Sequence, residues 1–169
     1  MSERQKRQAF EEGHRRKFLV VVDEAPEVET ALAYSARRAR RTGGALALVY
    51  IVEPADFTQW LGVQDAYREE AQAKAKAVFR LHVRKLKIWG FEDIPTEEII
   101  REGAKADEIR ALIEEDPDIG ILVLGASVDP SGPGPLVSSL ASGKNAGSFS
   151  VPITVVPGCL TLEELEALA

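Results

Sequence analysis

The residues able to do chemistry in this chain are few, and most stand where an apolar run ends. Asp23 closes the run Phe18-Leu19-Val20-Val21-Val22, three residues before Pro26, a well-placed first helical residue. A carboxylate at the mouth of a buried strand can accept hydrogen bonds from a ribose or an exocyclic amine, and it is equally a good turn-former. The second candidate is the stretch Gly125-Ala126-Ser127-Val128-Asp129-Pro130-Ser131-Gly132-Pro133-Gly134-Pro135-Leu136-Val137-Ser138-Ser139-Leu140. Its small residues let backbone amides approach a phosphate, the helix start behind them adds partial positive charge, and the serines add hydroxyls. Its prolines act in the opposite sense, because each lacks the amide a phosphate cradle needs.

Sharper chemistry is excluded by pattern. Gly143-Lys144-Asn145 lacks the earlier glycine and the final Ser/Thr of a Walker box, and Val137 stands where a dinucleotide fingerprint needs its third glycine. No G-x-S-x-G elbow occurs. Cys159 has no histidine near it in sequence and reads as an inert thiol. His14 and His82 are far apart, so a histidine-rich metal centre is not expected, and His82 reads as a packed residue on or beside an apolar helix face. With no catalytic constellation, the chain is expected not to be an enzyme.

The elements that must position these residues follow from periodicity. Phe18–Val22, Ala45–Val52 and Ile119–Leu124 are continuous apolar runs, suited to strands buried on both faces of a parallel sheet. A weaker edge strand is expected over Pro95–Glu102 and a last strand over Val151–Val156. Helical spacing marks Glu27–Arg41, ended by Gly43-Gly44, and a long helix from about Asp65 to Trp89 after a loop with Phe57, Trp60 and Leu61. A third helix is expected after Gly103 up to Asp116-Pro117, and a short helical stretch from Pro135 to about Gly147. Arg37, Arg38, Arg40 and Arg41 read as a solvated helix end. Strands alternating with helices predict a doubly wound α/β fold with helices on both faces, in which ligands bind beyond the carboxyl ends of the strands where the winding reverses. Residues 1–16 read as a charged, mobile or loosely helical extension outside the core, 17–158 as the α/β domain, and 159–169 as a short helical tail capped by Thr161 with Glu164.

Composition sets the outer limits. The chain has 169 residues, 45% apolar and 28% charged, which is one globular domain with room for a core. Its 27 acidic and 21 basic side chains leave a net charge of −6, which disfavours nucleic acid or an anionic membrane as partner. One cysteine excludes a disulfide framework. The N-terminus lacks the apolar run of a signal peptide, and no stretch approaches about 18 apolar residues, so a cytoplasmic protein is expected.

Taken in order, Asp23 after its strand, Val49-Tyr50-Ile51-Val52-Glu53-Pro54, Gly103 before the third helix, Ile121-Leu122-Val123-Leu124-Gly125 and Val151-Pro152-Ile153-Thr154-Val155-Val156 resemble a universal stress protein domain over about residues 17–158. The resemblance implies a five-stranded parallel sheet in the order 3-2-1-4-5 and a homodimer paired through the last strand. It also implies a stress-response role, with ATP (and its accompanying Mg) bound without catalysis in many members. In ATP-binding members an aspartate after the first strand meets the nucleoside, a position that falls on Asp23, and a second-strand backbone meets the adenine, which falls on Ile51. The family's phosphate loop, G-x2-G-x9-G-[ST], begins here at Gly125, has Val128 at its second glycine, and brings Ser138-Ser139 near its end. Gly132 and Gly134 would restore backbone access, so Gly125, Gly132, Gly134, Ser138 and Ser139 are the residues expected to face phosphates. The alternative expectation is a nucleotide-independent dimeric module whose altered loop and N-terminal extension contact an unknown partner protein.

Overall fold

The computed structural model describes residues 4–54 and 61–169, the side chain of residue 61 excepted. The expected loop residues Phe57 and Trp60 lie outside the described residues. The elements run β1 (Lys17–Val21), α1 (Val28–Thr42), β2 (Ala45–Val52), α2 (Leu61–Ile88), β3 (Thr96–Glu102), α3 (Lys105–Glu115), β4 (Ile119–Ala126), α4 (Pro135–Leu140), α5 (Gly143–Ala146), β5 (Ile153–Pro157) and α6 (Leu162–Leu168). The five strands form one parallel sheet in the order β3-β2-β1-β4-β5, as expected.

The three apolar runs became the central strands because nothing else could cover both of their faces. Phe18 to Val22, Leu46 to Val49 and Leu122 to Leu124 are each 1% exposed or less. α1 crosses over β1, β2, β4 and β5 and meets α2, while α3 and α4 pack together. Right-handed crossovers place the two pairs on opposite faces of the sheet. β3 and β5 are the edges; Thr96–Glu102 shows no buried residue, and Val155 on β5 is exposed.

The structure departs from the expected boundaries in small ways. The helical stretch after Pro135 is two short helices, separated at Ala141 and Ser142, and Gly143, which opens the second, takes φ 56°. The last strand begins at Ile153 rather than Val151, which is buried instead below the strand. His82 is a packed residue, 3% exposed, and burial, then the Lys85 charge, lowers its pKa. The Thr161–Glu164 capping box forms as expected.

Two expectations about charge are corrected. Among the α1 arginines Arg40 and Arg41 are exposed as expected, but Arg37 is not solvated, and all three are engaged. Arg37 is 9% exposed, pairs with Glu166 of α6 at 2.7 Å and lies over the Phe91 ring. Arg40 lies over the same ring and pairs with Asp93, and Arg41 bonds to Glu166 and to the Ala169 carbonyl. The tail therefore clips onto α1, with Leu165 buried beneath it.

Part of the N-terminal extension also packs: residues 4–6 and 10–15 are exposed, but Arg7–Ala9 and Arg16 dock on the domain. Arg7 Nη1 donates to the Ile113 carbonyl at 2.5 Å and to the Asp116 carbonyl at 3.2 Å. α3 has no basic residue in its last turn, so Arg7 supplies the cation that its unsatisfied carbonyls favour. The Gln8 amide donates to the Pro117 carbonyl, Ala9 is buried, and Arg16 lies over Phe18. Sequence periodicity missed this docking because it runs through backbone carbonyls and one guanidinium rather than an apolar stripe. Replacing Arg7 with alanine should lower the free energy of urea denaturation by about 1–2 kcal/mol, since charge-assisted bonds to otherwise unpaired carbonyls are lost.

Candidate functional site

A crevice opens over the carboxyl ends of β1 and β2, beside the point where β1 and β4 send their connections in opposite directions. Its walls come from β1 and the turn after it (Val21, Val22, Asp23, Glu24), β2 (Tyr50, Ile51, Val52) and the adjoining Glu53. Tyr67, Glu70, Ala71 and Lys74 on α2, Lys105 at the start of α3 and Leu136 on α4 complete it, around about 340 Å³. That is room for a small organic ligand.

The turn after β1 is held by its own side chains. Asp23 Oδ1 accepts the Ala25 amide at 2.8 Å, a local turn that leaves the residue lining the crevice. Burial raises the Asp23 pKa above 3.8; the Ala25 amide opposes this, the Glu27 charge adds to it, and Lys105 opposes it in turn. Next to it, Glu24 Oε1 accepts the Tyr50 hydroxyl at 2.8 Å and lies 3.3 Å from the Lys74 ammonium. Burial alone would raise the Glu24 pKa, but Tyr50 and Lys74 outweigh it and hold this carboxyl below its ordinary value. Burial, then the bond to Glu24, pushes the Tyr50 phenol well above 10. This clamp ties β1, β2 and α2 together at the crevice mouth.

A second hollow, about 350 Å³, lies along the loop after β4; Pro135 lines it, and the next residue, Leu136, lines the first. It is lined by Glu27, Ser127, Asp129, Ser131, Gly132, Gly134, Pro135 and Ser138. The loop above it is bonded to itself: Ser127 N donates to Pro133 O, Asp129 N to Ser127 Oγ, Ser131 N to Asp129 Oδ1, Gly132 N to Asp129 O and Ser138 N to Gly134 O. Positions 130, 133 and 135 are prolines without an amide.

The structure thus brings Asp23 and Ile51 together in the first crevice, and Gly132, Gly134 and Ser138 together in the second hollow. Gly125 lines neither. A Cβ added there would lie 2.2 Å from the Glu27 carbonyl oxygen, so this glycine exists to let α1 approach β4. Ser139 also lines neither, its hydroxyl donating to the Pro135 carbonyl at 2.7 Å. Sequence reasoning passed over Glu24, Glu27, Tyr50, Tyr67, Lys74 and Lys105. Tyr67, Ala71 and Lys74 had a legible signal, since their spacing places them on one face of α2. Glu27 had none; only the approach of α1 to β4 and the loop puts it there.

A parallel sheet in this order, with a ligand-sized crevice over the ends of two of its strands, is the doubly wound α/β architecture. The universal stress protein family model matches residues 14–157, and the chain belongs to that family. No curated protein sequence matches it. Among solved structures it is similar to the universal stress protein UspA from Lactobacillus plantarum, with 18% identity and a TM-score of 0.67 over 83% of this chain and 97% of that one. It is also similar to the Archaeoglobus fulgidus universal stress protein in complex with dAMP, with 19% identity and a TM-score of 0.59 over 83% and 97%. A third similar structure is a family protein from Arabidopsis thaliana with AMP bound, with 14% identity and a TM-score of 0.51 over 84% and 91%.

Gly125→Ala should be among the most damaging single changes in the protein. Backbone on both sides of the contact cannot yield, so chemical denaturation should show a loss of about 3 kcal/mol or an unfolded chain.

Proposed function

We propose that this chain is a regulatory, stress-response member of its family that binds an adenine nucleotide without catalysis. The observation that carries the reading is the crevice over the ends of β1 and β2, which Asp23 and Ile51 both line. An ionised Asp23 accepts hydrogen bonds from ribose hydroxyls, and the Ile51 backbone supplies donor and acceptor to the base. Solved family members with AMP and dAMP support an adenine ligand as the class to test. ATP with Mg, the ligand the family resemblance implies, fits at its nucleoside end. Its phosphate end does not fit: the Ser127, Asp129, Ser131 and Gly132 amides are bonded within the loop, three positions are prolines, α4 is only six residues long, and the hollow holds carboxylates.

Calorimetry with adenosine, AMP and ATP at millimolar concentration should show heat, and thermal unfolding should shift upward with ligand. Asp23→Asn should cost about tenfold in affinity, as a charged acceptor is lost. Binding by the wild-type chain should weaken as pH falls toward the raised Asp23 pKa, because the protonated carboxyl is a poorer acceptor, and the weakening should begin above the pH at which an ordinary aspartate titrates. Asp23→Asn should bind with no such dependence. No heat and no thermal shift with any of the three would favour the second reading, a nucleotide-independent interaction module, which the self-bonded loop supports.

We also propose a homodimer through β5. Its outer edge is unpaired among the described strands, and Val155 on it is exposed. Light scattering at micromolar concentration should give twice the monomer mass, and Val155→Pro should reduce it to the monomer, because the β4–β5 register turns the Val155 amide to the open edge and the substitution removes it.

A further inference from the structure

Glu27 is an ionisable residue buried beside the second hollow. It is 7% exposed, yet its side chain lines the second hollow. A Cβ on Gly134 would lie 2.8 Å from Glu27 Oε1, so the carboxylate lies directly against the loop that the sequence pattern assigns to phosphates. It cannot be withdrawn by moving the backbone. The Glu27 carbonyl lies against Gly125, its Cβ would lie 3.1 Å from a Cβ on Gly158, and the Thr30 hydroxyl bonds to that carbonyl at 2.8 Å. The lining residues of the hollow include a second acid, Asp129, and no lysine or arginine. A polyphosphate placed there meets carboxylates in a partly buried site, where like charges repel far more strongly than in water. It also meets a loop in which the Ser127, Asp129, Ser131 and Gly132 amides are already bonded and three positions are prolines without an amide.

We infer that Glu27 is a specificity-determining residue that makes this site select the adenine nucleoside over its triphosphate. The inference rests on the adenine-binding reading above. Adenosine fills the first crevice without entering the second hollow, AMP brings one phosphate to its margin, and ATP must place its tail over Glu27. The order of affinity is therefore adenosine first, AMP next and ATP last. Glu27→Gln preserves the shape of the side chain and removes its charge.

Titration calorimetry of the wild-type chain and Glu27→Gln with adenosine, AMP and ATP, each with and without Mg2+, tests this. The wild-type chain should bind adenosine at least about tenfold more tightly than ATP, and Glu27→Gln should close most of that gap by improving ATP while leaving adenosine unchanged. Glu27→Met, apolar and of similar size, substitutes if the glutamine variant does not fold. Wild-type binding of ATP as tight as adenosine, or an adenosine-to-ATP ratio unchanged in the variants, overturns the inference and leaves the adenine reading standing. Tighter Mg-ATP binding by the wild-type chain that Glu27→Gln abolishes also overturns it, by making Glu27 a metal ligand. Absence of binding by all three compounds to every variant overturns the adenine reading and this inference with it.

Discussion

The functional end of the molecule depends on one close approach, that of the first turn of α1 to the ends of β4 and β5. The Glu27 carbonyl takes the space where Gly125 would carry a Cβ, and the Glu27 side-chain stem lies against Gly158. α1 can sit this low over the sheet only because both positions lack side chains. Its depth then sets the short turn from Val22 to Pro26, which keeps Asp23 and Glu24 at the crevice mouth. It also carries the Glu27 carboxylate beneath the loop after β4. A packing constraint thus decides the electrostatics of the site.

Around that approach the crevice is built from paired charges rather than a cationic surface. Lys74 is engaged with Glu24, and Lys105 faces Glu53 at 4.0 Å. Such pairs hold walls in place but leave little net positive potential for an anion, in keeping with the net charge of −6. Asp23 shows the same balance, its pKa raised by burial and by the Glu27 charge. The geometry suits a polar, uncharged group with hydroxyl donors better than a highly charged tail.

At the opposite end, charge does structural service. Lys17 sits between Asp116 and Glu97, which join the starts of β1 and β3 to the end of α3. Arg7 caps the carbonyls of α3, and Arg37 and Arg41 hold α6 against α1. Burial penalises the charged form of Lys17, but the two carboxylates outweigh it and raise its pKa. The segment around Arg7 and the C-terminal helix are therefore held on the domain by arginines that meet carbonyls and carboxylates, together with the buried Ala9 and Leu165.

The sequence by itself determined the fold, because runs such as Leu46–Val49 and Leu122–Leu124 are too apolar to be solvated on either face and too short to be anything but buried strands. It also placed Asp23 at a strand mouth, Thr161 at a helix cap and Gly43 at a helix end, since each of these is decided by neighbours a few residues away. What it could not determine were the contacts between residues far apart in the chain. Arg37 reads as solvated until α6, more than a hundred residues later, brings Glu166 to it. Gly125 reads as a phosphate-loop glycine until α1 comes to rest upon it, and Glu27 reads as an ordinary helix-start acid until that same contact buries it. Tertiary structure decided these because the relevant quantities, burial and the distance between charges, exist only once the layers have packed.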